Sequence, residues 1–224
     1  MIISKISDFQ GVEPATYANP ARRQVVYIPG MSTDVLGEMD ASGPCPQAMD
    51  YLDAAVFITD AMIGAKFVNV STLSLGGEVE GNGHLSTNAS NYLRARVSQG
   101  VLVTTLSDYG FTPSKARSTV EECDELDALV KKDEFSEAQL TIILAKSQSH
   151  RYIPSIRAVA PSVMDATVLL LPDALNYYHV RHRTVEMVLA GYSMIDPRWV
   201  AWPTGTFLRS RTASIRQGNP DLKI

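Results

Sequence analysis

The sequence predicts an α/β fold: a Rossmann-like, doubly wound three-layer sandwich built on a mainly parallel five-stranded sheet. Three observations carry that expectation. Short β-branched runs alternate with longer segments whose apolar residues recur at helical spacing, the pattern of βαβ units whose right-handed crossovers make a sheet parallel. The runs at 24–28 (QVVYI) and 140–145 (LTIILA) are near-continuously apolar, as strands covered on both faces are. The second of these breaks at once into Lys146, Ser147, Gln148, Ser149, His150 and Arg151, which is how a parallel strand delivers polar groups to the carboxyl edge of its sheet.

The elements follow in order. The strand at 24–28 is closed by Pro29 and Gly30, and a long polar loop to Pro46 follows. Ala48, Leu52, Ala55, Val56, Met62 and Ile63 share a helical face over 47–63, with Gly64 as the stop. A second strand at 67–75 ends in Gly76 and Gly77, and EVEGNGH after it reads as an exposed loop. Ser86 or Thr87 caps a helix that Gly100 closes, and 101–106 is the third strand. Ser118 with Glu121 three residues on is a capping box, so a helix starts there with Val120, Cys123, Leu126 and Val130 inward. After the fourth strand the polar stretch reads as a turn, with a helix from about Ile153 to Val159. The fifth strand spans 166–171, and a long last helix through Val180, Val188 and Tyr192 ends near Asp196 and Pro197. The domain therefore runs over 1–197, and 198–224 is a C-terminal extension whose aromatic residues pack on the domain and whose end is basic.

Composition narrows the function classes. Of the 224 residues, 45% are hydrophobic and 20% charged, as in an ordinary globular chain, and the net charge of -4 speaks against a general nucleic-acid binder. The charge is uneven: 118–138 holds eight acidic and two basic residues, 198–224 five basic and one acidic. A solvated acidic helix and a cationic tail account for this without a partner. Cys45 and Cys123 stand far apart with no metal spacing, which suits reduced thiols. The start, MIISKISDFQ, lacks the charged-then-apolar order of a signal peptide, and no apolar run reaches the length of a membrane span. A cytoplasmic protein without a membrane partner is expected.

Strand order 3-2-1-4-5 puts the topological switch point between strands one and four, and ligands of open α/β sheets bind there. Gly30, Ser32 and Asp34 would then face Ser147, Ser149, His150 and Arg151, with Gly76, Gly77, Ser118 and Thr119 alongside. His150 and Asp34 have the side chains of acid–base catalysis. Arg151 and Arg157, with Lys115 and Arg117 near the start of the third helix, offer guanidinium and ammonium groups to a phosphate or carboxylate. The glycines allow close backbone approach, but no GxGxxG or GxxxxGK[ST] pattern surrounds them, and no GxSxG elbow is present. His179 and His182 lie beside Arg181 and Arg183, which repel a cation, so no metal site is expected.

These motifs in this order, LSLGG, YLRARVSQGV, ARSTVEECDEL and TIILAKSQSHRYIPSIRAVA, resemble the bacterial domain-of-unknown-function family that includes YdcF, SanA and ElyC. The resemblance covers residues 24–172. Its second-strand Ser-Gly-Gly motif falls on Ser74, Gly76 and Gly77, its third-helix S-x-T-x-E-N motif on Ser118, Thr119, Glu121 and Glu122, and its His and Arg turn on Ser147, His150, Arg151 and Arg157. Glu122 stands where that motif has Asn, Ser155 stands where the family's Arg would be, and either His150 or Tyr152 takes the His place. The resemblance implies a Rossmann-like domain, a link to cell-envelope metabolism and S-adenosylmethionine as a candidate ligand. The function expected is binding of an anionic nucleotide-like or phosphorylated small molecule at the carboxyl edge of the sheet, with transferase or hydrolase chemistry. A noncatalytic ligand-sensing or scaffold protein is the alternative, and a homo-oligomer is compatible with both.

Overall fold

The computed structural model describes residues 13–30, 46–67, 69–76, 78–79, 83–96, 102–104, 114–116, 118–132, 135, 137–163, 165–171 and 180–200. Four full-length parallel strands form the body of the sheet: β1 (Gln24–Ile28), β2 (Val70–Ser74), β6 (Gln139–Ala145) and β7 (Thr167–Leu171). Between β2 and β6 the chain makes two two-residue strands, β3 (Glu78–Val79) and β4 (Gly83–His84), and the three-residue β5 (Leu102–Thr104). β5 pairs with the outer edge of β2, so the sheet reads β5-β2-β1-β6-β7, all parallel. This is the order 3-2-1-4-5 expected from the sequence, with the third strand reduced to a short edge. β3 and β4 form a separate antiparallel hairpin where the sequence suggests only a loop. Strands of two residues are too short for alternation to reveal.

Helices α1 (Pro46–Gly64) and α2 (Leu85–Arg96) cover one face, α3 (Thr119–Val130) and α4 (Lys146–Val159) the other, and α5 (Val180–Ile195) packs outside α4. The pleat assigns the faces, because alternate residues of a strand point to opposite sides. Val26, Ile28, Ile143, Leu169 and Leu171 pack with Leu52, Ile58 and Met62 of α1 and Leu93 of α2. Val25, Tyr27, Leu73, Ile142 and Leu144 pack with Cys123, Leu126 and Leu129 of α3 and with Tyr152 and Ile156 of α4. Each aliphatic side chain so buried contributes roughly 1.5–3 kcal/mol, and β1, buried along its whole length, serves both layers.

Three element ends are made differently from the sequence reading, each for a local reason. α1 ends at Gly64 as expected, but the glycine does not form the cap: Lys66 takes the left-handed conformation (φ 63°), while Lys66 N–H donates to Ile63 O (2.9 Å) and Phe67 N–H to Met62 O (2.9 Å). That is a Schellman cap with lysine in the place glycine usually fills. α2 begins at Leu85, directly after β4, and Ser86 N–H donates to Gly76 O (3.2 Å), so a neighbouring carbonyl satisfies a first-turn donor rather than a side-chain cap. α4 begins at Lys146 with no intervening turn, and Pro154 lies inside it. The polar run that reads as a loop is the first two turns of that helix.

On α3, Asp127 accepts from Ser162 N–H (3.0 Å) and pairs with Lys131 Nζ (2.5 Å), fastening the helix to the 3₁₀ turn Pro161–Val163. Burial pushes its carboxyl up, but the Lys131 hydrogen bond and the Ser162 amide outweigh it and hold the carboxyl below its ordinary 3.8. A carboxyl lowered by folding stabilises in full above the unfolded value and loses that contribution as pH falls through the folded one. Urea unfolding should therefore show an acid loss of stability below about pH 4 that is shallower in Asp127→Asn.

Candidate functional site

The carboxyl ends of β1 and β2 come together more closely than side chains would allow. A Cβ placed on Gly30 would lie 2.3 Å from the Leu75 carbonyl oxygen, 2.9 Å from Gly76 Cα and 3.1 Å from Glu122 Oε1. Gly30 and Gly76 thus sit side by side just past the last paired residues, Ile28 and Ser74, and a carboxylate lies against them. Gly76 has φ 121°, a conformation that strains any residue with a Cβ.

That carboxylate belongs to α3. Ser118, extended at φ -145°, caps the helix by accepting from Glu121 N–H (3.3 Å), which is the Ser half of the expected capping box. The cap fixes the rotation of the helix, so Thr119, Glu122, Cys123 and Leu126 fall on its buried stripe. Glu122 is 1% exposed and lies in the first turn of the helix, near the positive end of its dipole. Ahead of the cap, Gly76 N–H donates to Ser114 Oγ (2.9 Å), Ser114 Oγ donates to Glu125 Oε2 (2.6 Å) and Lys115 N–H donates to Glu125 Oε1 (2.9 Å). Glu125 thereby clamps the segment before α3 to the end of β2.

From α4, Tyr152 reaches under the same point. Its hydroxyl donates to Glu122 Oε2, and the Tyr27 hydroxyl of β1 lies 3.1 Å from the Tyr152 hydroxyl. With the Tyr152 proton committed to the carboxylate, Tyr27 is the donor in the second bond. Burial first, and the Glu122 charge second, push both phenols well above their ordinary 10.0, so both stay protonated donors at neutral pH. The Cys123 thiol beside them is raised by burial and by Glu122 and Asp124, against a smaller opposite pull from Arg151. Its free thiol is therefore a packing group and not an activated nucleophile.

The residues expected from sequence divide three ways. Gly30, Gly76, Ser118, Thr119 and Arg151 lie at or beside this cluster, and all but the half-buried Gly30 are buried. Ser149 is buried on α4, but its hydroxyl donates to the Lys146 carbonyl (2.7 Å), closing the first turn of its own helix. His150 and Arg157 are exposed on α4. Ser147 belongs to α4 by its backbone, and Ser32, Asp34 and Gly77 lie outside the described residues. Tyr27 and the clamp of Ser114 and Glu125 escaped the sequence reading. A tyrosine in the middle of an apolar strand is the signal for Tyr27, since its hydroxyl must find a partner once buried.

Comparison with family models finds no match for the chain, and comparisons with curated proteins and with solved structures find none. Among the described residues, no helix is long and apolar enough to cross a membrane.

Proposed function

We propose that this is a Rossmann-like, YdcF-like protein that binds an anionic nucleotide-like or phosphorylated small molecule at the carboxyl edge of its sheet, and that it carries out group transfer or hydrolysis there. S-adenosylmethionine, nucleotides and nucleotide sugars are the candidate ligands. The observation that carries the reading is the buried chain Tyr27–Tyr152–Glu122 ending against Gly30 and Gly76. An enclosed carboxylate bonded by one neutral phenol, itself bonded by a second, costs a fold stability, and such groups concentrate at working sites. Arg151, 8% exposed on the same helix as Tyr152, supplies the positive charge for the anionic part. Glu122 is the acceptor for a ligand hydroxyl or amine, or the base, and Tyr152 positions it. On this reading Glu122 takes the acid–base role expected of the exposed His150, and Tyr152 is taken to fill the place that the resemblance left open between it and His150.

A noncatalytic sensing or scaffold role is the second reading, favoured by the exposed apolar face of α5. Thermal unfolding in the presence of each candidate separates them. A ligand at a hundred times its Kd should stabilise the wild type by about 2.7 kcal/mol, or about 5–10 °C for a chain of this length. Arg151→Ala and Glu122→Gln should lose most of that shift and His150→Ala should keep it. If no candidate shifts the wild type, or if Arg151→Ala and Glu122→Gln shift as far as it does, the assignment fails.

A further inference from the structure

Five of the six large hydrophobic side chains found exposed among the described residues belong to α5 or the turn after it. Met187 (75% exposed), Val188 (61%), Met194 (67%) and Ile195 (85%) lie on the helix, and Val200 just beyond. At 100° per residue the four helical positions and Gly191 fall within about 120° of arc. The opposite side, with Leu189, Ala190 and Ser193 buried, faces the body of the protein, where Leu189 packs with Val120 and Trp199. α5 is therefore apolar on the side that points away from its own core, the reverse of an ordinary surface helix.

The stripe is also symmetric in sequence. Relative to Gly191, the exposed residues stand at -4, -3, +3 and +4, and a Cβ added at Gly191 would meet nothing within 4 Å. We propose that α5 pairs with α5 of a second copy of this chain in an antiparallel, two-fold symmetric dimer crossing at Gly191. A two-fold interface must be self-complementary, and this arrangement sets Met187 and Val188 of each protomer against Met194 and Ile195 of the other. Glycine at the crossing point brings the two backbones close. The four side chains expose on the order of 500 Å², at the size where exposed apolar patches mark contact sites. That is more than half of the about 800 Å² per partner that a standard interface buries. This inference does not depend on the ligand site.

Sedimentation velocity over a wide concentration range tests it. The wild type should pass from monomer to dimer, and Gly191→Glu and Ile195→Asp should remain monomeric at every concentration. Because Gly191 faces open space within its own chain, Gly191→Glu should unfold no more easily than the wild-type monomer. In a Cys45→Ser background, Gly191→Cys should form an intermolecular disulfide on oxidation, while Met187→Cys should cross-link with Ile195→Cys in mixtures but not with itself. A wild type that is monomeric throughout overturns the proposal, as does a dimer that survives Gly191→Glu. So does a monomer whose Gly191→Glu variant unfolds at lower temperature, which would mean that residues 201–224 of the same chain cover this face.

Discussion

Tyr152→Phe should destabilise the protein by about 3 kcal/mol, whereas Tyr27→Phe should cost about 1 kcal/mol, although both remove one buried hydroxyl. The asymmetry follows from the direction of the chain. Tyr152 stands in the middle, donating to Glu122 and accepting from Tyr27. Removing its hydroxyl takes a partner from a carboxylate that is 1% exposed and also strands the Tyr27 proton. Removing the Tyr27 hydroxyl deletes a terminal donor and leaves the Tyr152–Glu122 bond intact. Equilibrium unfolding in urea of both single variants and the double variant measures the coupling between them. The double variant should cost little more than Tyr152→Phe alone, because Tyr27 has lost its partner already. Equal costs for the two single variants would mean that the hydroxyls do not act in series and that Glu122 draws its support from elsewhere.

The same residues explain what was legible beforehand. Apolar runs such as QVVYI and LTIILA are long, and each is bounded by punctuation, so the strands and their parallel arrangement follow from them. The buried face of α4 was harder. Its inward positions include Gln148, Ser149, Arg151 and Ser155, and polar residues at helical spacing look like a loop. They tolerate burial partly because Ser149 donates to the Lys146 carbonyl and Ser155 to the Arg151 carbonyl, local bonds that leave no trace in hydropathy. Pro154 inside α4 is a further obstacle to reading the helix from sequence, since proline is favoured in a helix's first turn and disfavoured in its interior. Glu122 stood out only through the resemblance; by composition alone, one carboxylate among eight in an acidic stretch reads as solvated. Its position on the stripe of Thr119, Cys123 and Leu126 was the available signal, an acid on the face that the helical period turns inward.

Gly30→Ala should be unusually damaging for a single added methyl, costing about 3 kcal/mol or more. The added carbon would stand 2.3 Å from the Leu75 carbonyl oxygen and 2.9 Å from Gly76 Cα, and both obstacles are backbone. A flexible side chain in that place would swing aside. A strand end held by the Ser114 bond to Gly76 N–H and the Ser86 bond to Gly76 O has no such freedom. Relief therefore requires the exits of β1 and β2 to part, and the displacement reaches Glu122 Oε1, 3.1 Å from the same added carbon. Urea unfolding should report the loss, and hydrogen exchange should localise it: amides around the Ile28–Ser74 pair should lose protection while the β6–β7 ladder keeps its own. On the proposed function, ligand-induced stabilisation should disappear as well, because Glu122 no longer stands at the same place beside the two strand ends. Wild-type stability in Gly30→Ala would refute the close approach of the two strand ends, and with it the geometry on which the placement of Glu122 depends.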